Sequence, residues 1–176
     1  MNEVSRETIS AVVQKDKQAC NHLFTVYKDF VWALVYRTVH RDVTVAEDVF
    51  QEVFVKIFRS LHRFNHKAQL STWIYRITYT TTMDRLRKEQ KKQLRESPLV
   101  HDPCDRTDSP HTKEILEDVL TGLSPFDRYL ITARELQGMS FAELALITGK
   151  TSGALRTRLH RVKEKLKQEY SHERDA

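Results

Sequence analysis

Residues 139–166 read MSFAELALITGKTSGALRTRLHRVKEKL, which predicts two helices joined by a tight turn. Ser140 and Glu143 have the spacing of a capping box, which satisfies free amides at the start of a helix. Gly149 is the residue type that most often ends a helix in the left-handed conformation, and Thr151 is placed to cap the helix that follows. The stretch is therefore predicted to be a helix-turn-helix.

The second of these helices is predicted to carry a cationic outer face. Apolar residues recur at helical spacing and mark its buried side, at Leu155, Leu159, Val162 and Leu166. The outward positions begin with small residues and continue with cations, at Gly153, Ala154, Arg156, Thr157, His160 and Arg161. This order is typical of a DNA recognition helix, because its first residues enter the major groove closely while Arg and Lys reach base edges and phosphates.

The composition favours an all-α protein with a polyanionic partner. Four Gly and four Pro in 176 residues are few for the turns of a β-sandwich or barrel. The chain has 29 Lys+Arg against 24 Asp+Glu, a formal net charge of +5. Cations are concentrated between Lys150 and Lys167, where Glu164 is the only acidic residue. Such a cluster favours nucleic acid as the partner.

No catalytic, cofactor or metal site is predicted. Cys20 and Cys104 lie in separate segments and form neither a zinc nor a disulfide pattern, which favours a reducing compartment. His62 and His66 are four residues apart, but no third ligand is near in the sequence. No glycine-rich phosphate loop and no membrane-length apolar run is present. We therefore expect a cytoplasmic, non-enzymatic protein that needs no cofactor and does not insert into a membrane.

The chain divides into two helical blocks. Residues 1–93 are predicted to form one small domain and residues 112–176 a second. Residues 94–111 contain three prolines with several Asp and Ser and show no helical periodicity, so they are predicted to be a flexible linker. The predicted fold is all-α, with two small helical domains.

Two helices of the first block carry patterns of functional interest. Thr44 and Glu47 are predicted to form a capping box that opens a helix with a broad apolar face, made of Val49, Val53, Phe54, Ile57, Phe58 and Leu61. Its polar face, taken on composition alone, is more typical of an ordinary solvated surface than of a binding site. A later helix, predicted over residues 71–92, combines aromatic rings with cations, as binding of unpaired bases requires. Trp73 and Tyr79 on that helix are equally compatible with a place in the core.

Three segments together resemble the extracytoplasmic-function group of bacterial sigma factors, the promoter-specificity subunits of RNA polymerase. They are AEDVFQEVFVKIF at residues 46–58, STWIYRI at 71–77, and LSPFDR at 123–128 followed by SGALRTRLHR at 152–161. The resemblance covers nearly the whole chain. It implies that residues 1–93 are sigma region 2, which binds core polymerase and reads and melts the minus-ten element. Residues 112–176 would be region 4, which reads the minus-thirty-five element.

The resemblance also implies a role for particular residues. The helix at 46–58 would dock on the clamp helices of the largest polymerase subunit through Asp48, Gln51, Glu52 and Phe54, and region 4 would contact the flap of the second-largest subunit. Minus-ten recognition is implied for Asn65, His66, Lys67, Gln69, Trp73, Arg76, Tyr79, Thr80, Arg85, Arg87 and Lys88. Minus-thirty-five recognition is implied for Lys150, Thr151, Arg156, Thr157, Arg158, His160 and Arg161.

The resemblance also implies binding partners. Core RNA polymerase, promoter DNA and an anti-sigma factor are the expected partners, which would place the protein on the nucleoid or hold it at the inner membrane.

Thr78-Tyr79-Thr80 stands where the family often has Ala-Arg-Asn, so the family's minus-ten-binding residues cannot be assigned directly to this chain. A stand-alone helix-turn-helix regulator would instead bind duplex DNA as a dimer without polymerase. A helical adaptor that binds only protein would leave the cationic face unused.

Overall fold

The computed structural model describes residues 4–96 and 122–174, with side chains at 4–92 and 122–168. Within these ranges the chain is helical and contains no strand, which confirms the predicted all-α class. The helices are α1 (Arg6–Val13), α2 (Lys17–Thr38), α3 (Val43–Ser60), α4 (Leu70–Glu96), α5 (Pro125–Ile131), α6 (Phe141–Thr148) and α7 (Ser152–Arg174). A 3-10 turn at Leu61–Arg63 follows α3, and a π-helical turn at Thr132–Leu136 continues α5.

The start of α3 corrects the sequence prediction. The cap is Asp42, whose Oδ1 accepts a hydrogen bond from the amide of Val45 at 2.9 Å, and the helix begins at Val43. Thr44 therefore lies inside the first turn and does not open a capping box with Glu47. A carboxylate at the cap also interacts favourably with the positive end of the helix dipole, which explains why Asp42 prevails.

Helices α1 to α4 pack around one apolar core. Its centre consists of fully buried side chains of α2, α3 and α4, namely Leu23, Tyr27, Val31, Leu34, Val49, Val53, Ile57 and Ile74. Burying a side chain of this size contributes roughly 1.5–3 kcal/mol. One residue of the predicted apolar face is not part of this core, since the Phe58 side chain is 37% exposed. Ile57 and Leu61, four residues apart, take the buried positions at this end of α3, and Phe58 is rotated away from them.

Helix α4 is longer than predicted, and tertiary packing explains its threonines. It runs to Glu96 and so includes the first residues of the predicted linker, while residues 97–111 lie outside the described residues. Thr78 and Thr82 are buried, and their hydroxyls donate to the carbonyls of Ile74 and Thr78 at 3.0 and 2.8 Å. Each buried hydroxyl is thereby satisfied within the helix, at the cost of some helix propensity.

The second domain confirms the predicted helix-turn-helix. The Ser140 amide donates to Glu143 Oε2 at 2.8 Å, and the Glu143 amide donates to Ser140 Oγ at 3.1 Å, which completes the capping box. Gly149 ends α6 with a φ of 71°. Thr151 Oγ1 accepts a hydrogen bond from the amide of Ala154 at 3.2 Å and caps α7. The local sequence was sufficient to predict these caps because each of these hydrogen bonds joins residues three or four apart in the chain.

The two domains lie against each other. Helix α5 and the π-helical turn pack on α2, and α6 packs on α4. Buried side chains of both domains belong to a single apolar cluster. Sequence patterns gave no expectation for this contact, because it joins surfaces that are far apart in the chain.

Replacing Lys15 with glycine is expected to stabilise the protein by about 0.5–1 kcal/mol. Lys15 follows the end of α1 with a φ of 65°, a conformation that costs an L-residue roughly 1–2 kcal/mol. Glycine adopts this φ freely, although its greater freedom in the unfolded chain offsets part of the gain. Urea unfolding would measure the difference. Lys28→Gly is the control, because Lys28 lies in the interior of α2 and the same change there should lower stability. A lower stability for Lys15→Gly would contradict the prediction.

Candidate polymerase and nucleic-acid interfaces

The outward face of α3 carries three of the residues predicted to bind core polymerase. Asp48 and Gln51 are exposed, and Glu52 is half-buried. Asp48 Oδ2 accepts a hydrogen bond from Arg85 of α4 at 3.1 Å, and Glu52 pairs with Lys56 at 2.7 Å. Each carboxylate is thus oriented by a neighbouring cation while it stays accessible to a partner.

Phe54, the fourth residue of that prediction, is 5% exposed and lies within an aromatic patch of Phe24, Phe50, Phe54 and Phe58. Its ring centroid is 4.7 Å from that of Phe24, 5.0 Å from that of Phe50 and 6.2 Å from that of Phe58. Phe24 and Phe58 remain 36% and 37% exposed, and Val55 is 46% exposed. Sequence analysis missed these exposed residues. Val55 carried the signal, because it is apolar at a position of α3 that helical spacing places outside.

An open pocket of about 420 Å³ lies between α3 and α4. It is lined by Lys56, Arg59, Ser60, Arg63, Ile77 and Thr80. The cations and hydroxyls supply hydrogen-bond donors and Ile77 supplies an apolar surface, a combination that suits a nucleobase with its phosphate. Sequence analysis predicted only Thr80 of this set. The others combine the end of α3 with the middle of α4, and only the packing of the two helices brings them together.

The loop before α4 places its predicted residues at the surface beside an aromatic anchor. Asn65, His66, Lys67 and Gln69 are all exposed. The Phe64 ring centroid lies 4.6 Å from that of His66 and 5.6 Å from that of Trp73. Trp73 is half-buried in this contact. The ring is therefore held in place without being taken into the core.

The cations predicted along α4 differ in whether they are bonded to acidic side chains. Arg76, Arg87 and Lys88 are exposed, although Arg87 donates to Asp84 at 3.1 Å. Arg85 is bound on two sides, since it donates to Glu89 at 2.7 Å as well as to Asp48 on α3. The hydrogen bond to Glu89 is the main reason that the pKa of Arg85 is raised. Arg85 thus joins α4 to α3.

Tyr79 lies against the second domain. Its ring centroid is 4.9 Å from that of Tyr129 and 6.3 Å from that of Phe126, both on α5. Burial raises the pKa of its phenol. Tyr79, one of the residues predicted for minus-ten recognition, is therefore partly covered by the contact between the domains.

The residues predicted for minus-thirty-five recognition are all exposed, on α7 or in the turn before it: Lys150, Thr151, Arg156, Thr157, Arg158, His160 and Arg161. The Arg156 guanidinium lies 5.3 Å from the centroid of the Phe141 ring, and Arg134 lies 4.9 Å from the same ring. Phe141 thus orients Arg156 through a cation–π contact. Gly153 leaves open space beside α7, since a Cβ there would meet no atom within 4 Å in the described structure.

Arg158 has a structural partner that sequence analysis did not foresee. Its Nε and Nη2 donate to the two carboxylate oxygens of Asp127 at 2.6 and 2.8 Å, and Ser124 Oγ donates to Asp127 as well. Burial disfavours the charged form of Asp127, but the hydrogen bonds from Arg158 and Ser124 outweigh it and hold the pKa of Asp127 below its usual value. This fork fastens α7 to the start of α5.

No cluster of three or more His, Cys, Asp or Glu side chains in residues 4–92 and 122–168 is placed to hold a metal ion. No helix in the described part of the chain has the length and hydropathy needed to cross a membrane.

Comparison with known proteins matches both domains to family models. Residues 23–92 match Sigma-70 region 2, and residues 113–166 match Sigma-70, region 4. The chain is 27% identical to the extracytoplasmic-function RNA polymerase sigma factor SigW of Bacillus subtilis, over 96% of this chain and 98% of SigW. It is 29% identical to the extracytoplasmic-function RNA polymerase sigma-E factor of Haemophilus influenzae, over 89% of each chain.

Solved structures share the fold. The sigma factor RpoE of Bartonella quintana, in complex with the anti-sigma factor NepR, matches with a TM-score of 0.74 at 17% identity, over 86% of this chain and 96% of RpoE. CnrH, in complex with the cytosolic domain of CnrY, matches with a TM-score of 0.66 at 20% identity, over 93% of this chain and 94% of CnrH.

Proposed function

Because this chain belongs to the extracytoplasmic-function group of sigma-70 factors, whose members bind core RNA polymerase and direct initiation at promoters, we propose that three of its surfaces divide that work. The outward face of α3 binds the polymerase. The pocket between α3 and α4, with the loop before α4, takes the opened minus-ten strand. The outer face of α7 reads the minus-thirty-five duplex. Sigma factors are non-enzymatic subunits, so each step is one of binding.

The pocket is the observation that carries this proposal. A base that leaves the helical stack costs a few kcal/mol, and stacking on an aromatic ring recovers about 1–3 kcal/mol for each base. Lys56, Arg59 and Arg63 provide cations for the phosphate backbone of the strand. The ring of Trp73 lies on the same helix as Ile77 and Thr80, four residues before Ile77. These surfaces bind a strand only after it has opened, so binding favours the melted promoter.

The face of α3 supports the polymerase contact. It combines exposed Asp48 and Gln51 with exposed apolar Val55 and Phe58. A mixture of charged and apolar groups on one helix face is typical of a protein-binding surface. A stand-alone DNA-binding regulator would leave both this face and the pocket without a role.

Regulation by an anti-sigma factor is part of the same proposal. Two proteins that share the fold, RpoE and CnrH, were solved in complex with NepR and with the cytosolic domain of CnrY, respectively. We infer that a comparable partner binds this chain. The factor would then lie in the cytoplasm, on the nucleoid when bound to polymerase and at the inner membrane when held by a membrane-anchored inhibitor.

Run-off transcription would test the proposed function. Core polymerase with and without this chain would be given promoter DNA enriched from the source genome by the reconstituted holoenzyme. We expect initiation at defined positions only when the chain is present. Duplex binding by the free chain, without binding to core polymerase, would instead support a stand-alone regulator.

Arg156→Ala is expected to weaken discrimination at one minus-thirty-five position by about tenfold. A well-placed arginine contributes roughly 1–3 kcal/mol by donating to two acceptors of one guanine. Promoter variants changed at single positions, assayed with wild-type and Arg156→Ala holoenzymes, would reveal the position that is no longer distinguished. Lys167→Ala is the control, because an exposed cation near the end of α7 should affect all sequences alike. Equal loss on all promoters with Arg156→Ala would contradict base reading by this residue.

A further inference from the structure

We propose that Phe141 determines how well the factor distinguishes bases in the minus-thirty-five element, because its ring holds the guanidinium of Arg156 in the orientation that reads a base. Phe141 lies on α6 and is not among the residues predicted to contact DNA, so it acts as a positioning residue. The functional part of this inference rests on the proposed role of α7 in minus-thirty-five recognition. Its structural part, the contact between the ring and Arg156, can be tested without DNA.

The first observation is the contact between the Phe141 ring and the guanidinium of Arg156. The Cζ atom of Arg156 lies 5.3 Å from the ring centroid, a distance at which a cation is attracted to the face of an aromatic ring. Arg156 is exposed, and its guanidinium forms no hydrogen bond or ion pair with another described residue. Its N–H donors therefore stay available for acceptors on DNA, while the ring restricts the orientations of the guanidinium.

A second contact fixes Phe141 relative to α7. Ser152 Oγ donates to the carbonyl of Phe141 at 3.2 Å. Ser152 and Arg156 are four residues apart in α7, so they lie on the same face of this helix. Ser152 binds the backbone of Phe141, and Arg156 lies against its ring. The helix that carries Arg156 is thus joined to Phe141 at two points that are one helical turn apart.

Arg134 also contacts the ring and is itself fixed by the backbone. Its Cζ atom lies 4.9 Å from the ring centroid, and its Nη1 donates to the carbonyl of Met139 at 2.6 Å. Arg134 is half-buried, whereas Arg156 is exposed. Because two guanidiniums beside one ring repel each other and Arg134 is bonded to the backbone, Arg156 is the one that is free to turn toward DNA.

The orientation of Arg156 matters because arginine reads guanine with two hydrogen bonds at once. The guanidinium must be aligned with the edge of the base for its bonds to O6 and N7 to form together. A side chain that is already ordered loses less conformational freedom when it binds, so the ring favours binding to the correct base. With a wrong base the guanidinium is not engaged, and the ring has no such effect. Loss of the ring should therefore reduce discrimination.

Arg161 provides a comparison within the same helix. It is exposed on α7 five residues after Arg156, and no aromatic ring of the described residues lies over its guanidinium. Removal of the Phe141 ring should therefore affect the base position that Arg156 reads and leave the position that Arg161 reads unchanged. A general weakening of the second domain would affect both positions.

Transcription by the holoenzyme on promoters changed at single minus-thirty-five positions would test the functional part. We expect Phe141→Leu, which keeps an apolar side chain, to lower discrimination about threefold to fivefold at the position where Arg156→Ala lowers it, as expected for the ordering of one flexible side chain. Phe141→Tyr keeps a ring and should stay within about 1.5-fold of wild type. In the Arg156→Ala background, Phe141→Leu should cause no further loss at that position.

Phe126→Leu is the matched control. It makes the same change at a ring whose centroid lies 5.2 Å from the Nζ of Lys150. An ammonium is a point charge that binds phosphates and lacks the planar fork of arginine, so any loss should be equal on all promoter variants. Urea unfolding would measure how much stability each of the two leucine variants loses.

Nuclear magnetic resonance of the full free chain, with its arginines isotopically labelled, would test the contact itself. Protons that lie over the face of an aromatic ring are shifted upfield. We expect the δ-protons of Arg156 to lie upfield of those of Arg161 in the wild type. This difference should be lost in Phe141→Leu and kept in Phe141→Tyr.

The outcomes separate this inference from the proposed function. A loss confined to one position, absent in the Arg156→Ala background and accompanied by the upfield shift, would support the positioning role. Equal loss at all positions, no loss, or an unshifted Arg156 would overturn it. If Arg156→Ala itself has no effect confined to one position, base reading by Arg156 is rejected together with the functional part of the inference, while the shift still decides whether the ring holds the guanidinium.

Discussion

The Asp48→Arg variant is expected to bind core RNA polymerase at least about thirtyfold more weakly than wild type. Asp48 is exposed on α3 beside Gln51, and its side chain is 56% accessible. The proposed docking pairs this carboxylate with a cationic group of the polymerase, so reversing its charge would turn an attraction into a repulsion, and such changes at interfaces cost about 2 kcal/mol or more. Fluorescence anisotropy of labelled factor titrated with core polymerase would measure the change, and run-off transcription should fall in parallel.

Two controls separate this effect from damage to the fold. Arg85→Ala removes the intramolecular partner of Asp48 but leaves the charge of α3 in place, so binding to core polymerase should stay within about threefold of wild type. Glu7→Arg makes the same charge reversal on α1, at an exposed position outside the proposed interface. Unchanged core binding by Asp48→Arg, or equal loss with Glu7→Arg, would remove the support for α3 as the docking helix.

Asp127→Asn is expected to lower the free energy of unfolding by about 2 kcal/mol at pH 7. The Asp127 side chain is 9% exposed and accepts hydrogen bonds from Arg158 and Ser124. Hydrogen bonds to a charged group contribute about 1.5–3 kcal/mol. Arg158 is half-exposed and regains water when its partner is neutral, which keeps the loss well below that for a fully buried pair. Urea unfolding followed by circular dichroism would measure it.

The same variant should change the response to acid. The folded-state pKa of Asp127 lies below the ordinary value of 3.8, so its ionised form stabilises the protein above that pH. This contribution is lost as the pH falls below about 4 and the carboxylate takes up a proton. Asp127→Asn lacks the titrating group, so the gap in stability between variant and wild type should narrow below pH 4. A gap that stays constant with pH would show that the ion pair with Arg158 is not its source.

Glu135→Gln is the matched control for Asp127→Asn. This change also removes a carboxylate from the second domain. In the wild type that carboxylate pairs with Lys163 at 2.9 Å. Both side chains of that pair are well exposed, so water replaces the lost interaction. The expected cost is at most about 0.5 kcal/mol. The comparison separates the contribution of a buried acceptor from that of an ion pair at the surface.

The functional surfaces differ in how much of each could be predicted from the sequence. The outer face of α7 followed from spacing within one helix, and the six residues that this spacing places on it are all exposed. The roles of Asp48, Gln51, Glu52 and Phe54 came from family resemblance and stay predictions. Asp48 and Gln51 are exposed, Glu52 is half-buried and Phe54 is buried. The pocket between α3 and α4 was not predictable. Lys56 and Thr80 are 24 residues apart, and no local pattern states which faces of two helices meet.

Two single residues show the same limit. Arg158 lies three residues after Leu155, and so beside the buried stripe of α7, and its side chain reaches Asp127, 31 residues earlier. Tyr79 lies on a helix rich in aromatics and cations, yet the ring packs on Tyr129 of the other domain. In both cases the periodic pattern reports the direction in which a side chain leaves its helix. It does not report the partner that the side chain meets.

The sequence by itself determined the helical class, the two blocks, the helix-turn-helix and its caps, and the cationic face of α7. These features depend on hydrogen bonds and periodicities that span three or four residues, so the local order of side chains specifies them. The tertiary structure decided the pocket, the fork between Arg158 and Asp127, and the contact that covers Tyr79. These depend on which distant surfaces bury the most apolar area together while satisfying their polar groups, as Arg128 does at the end of α2.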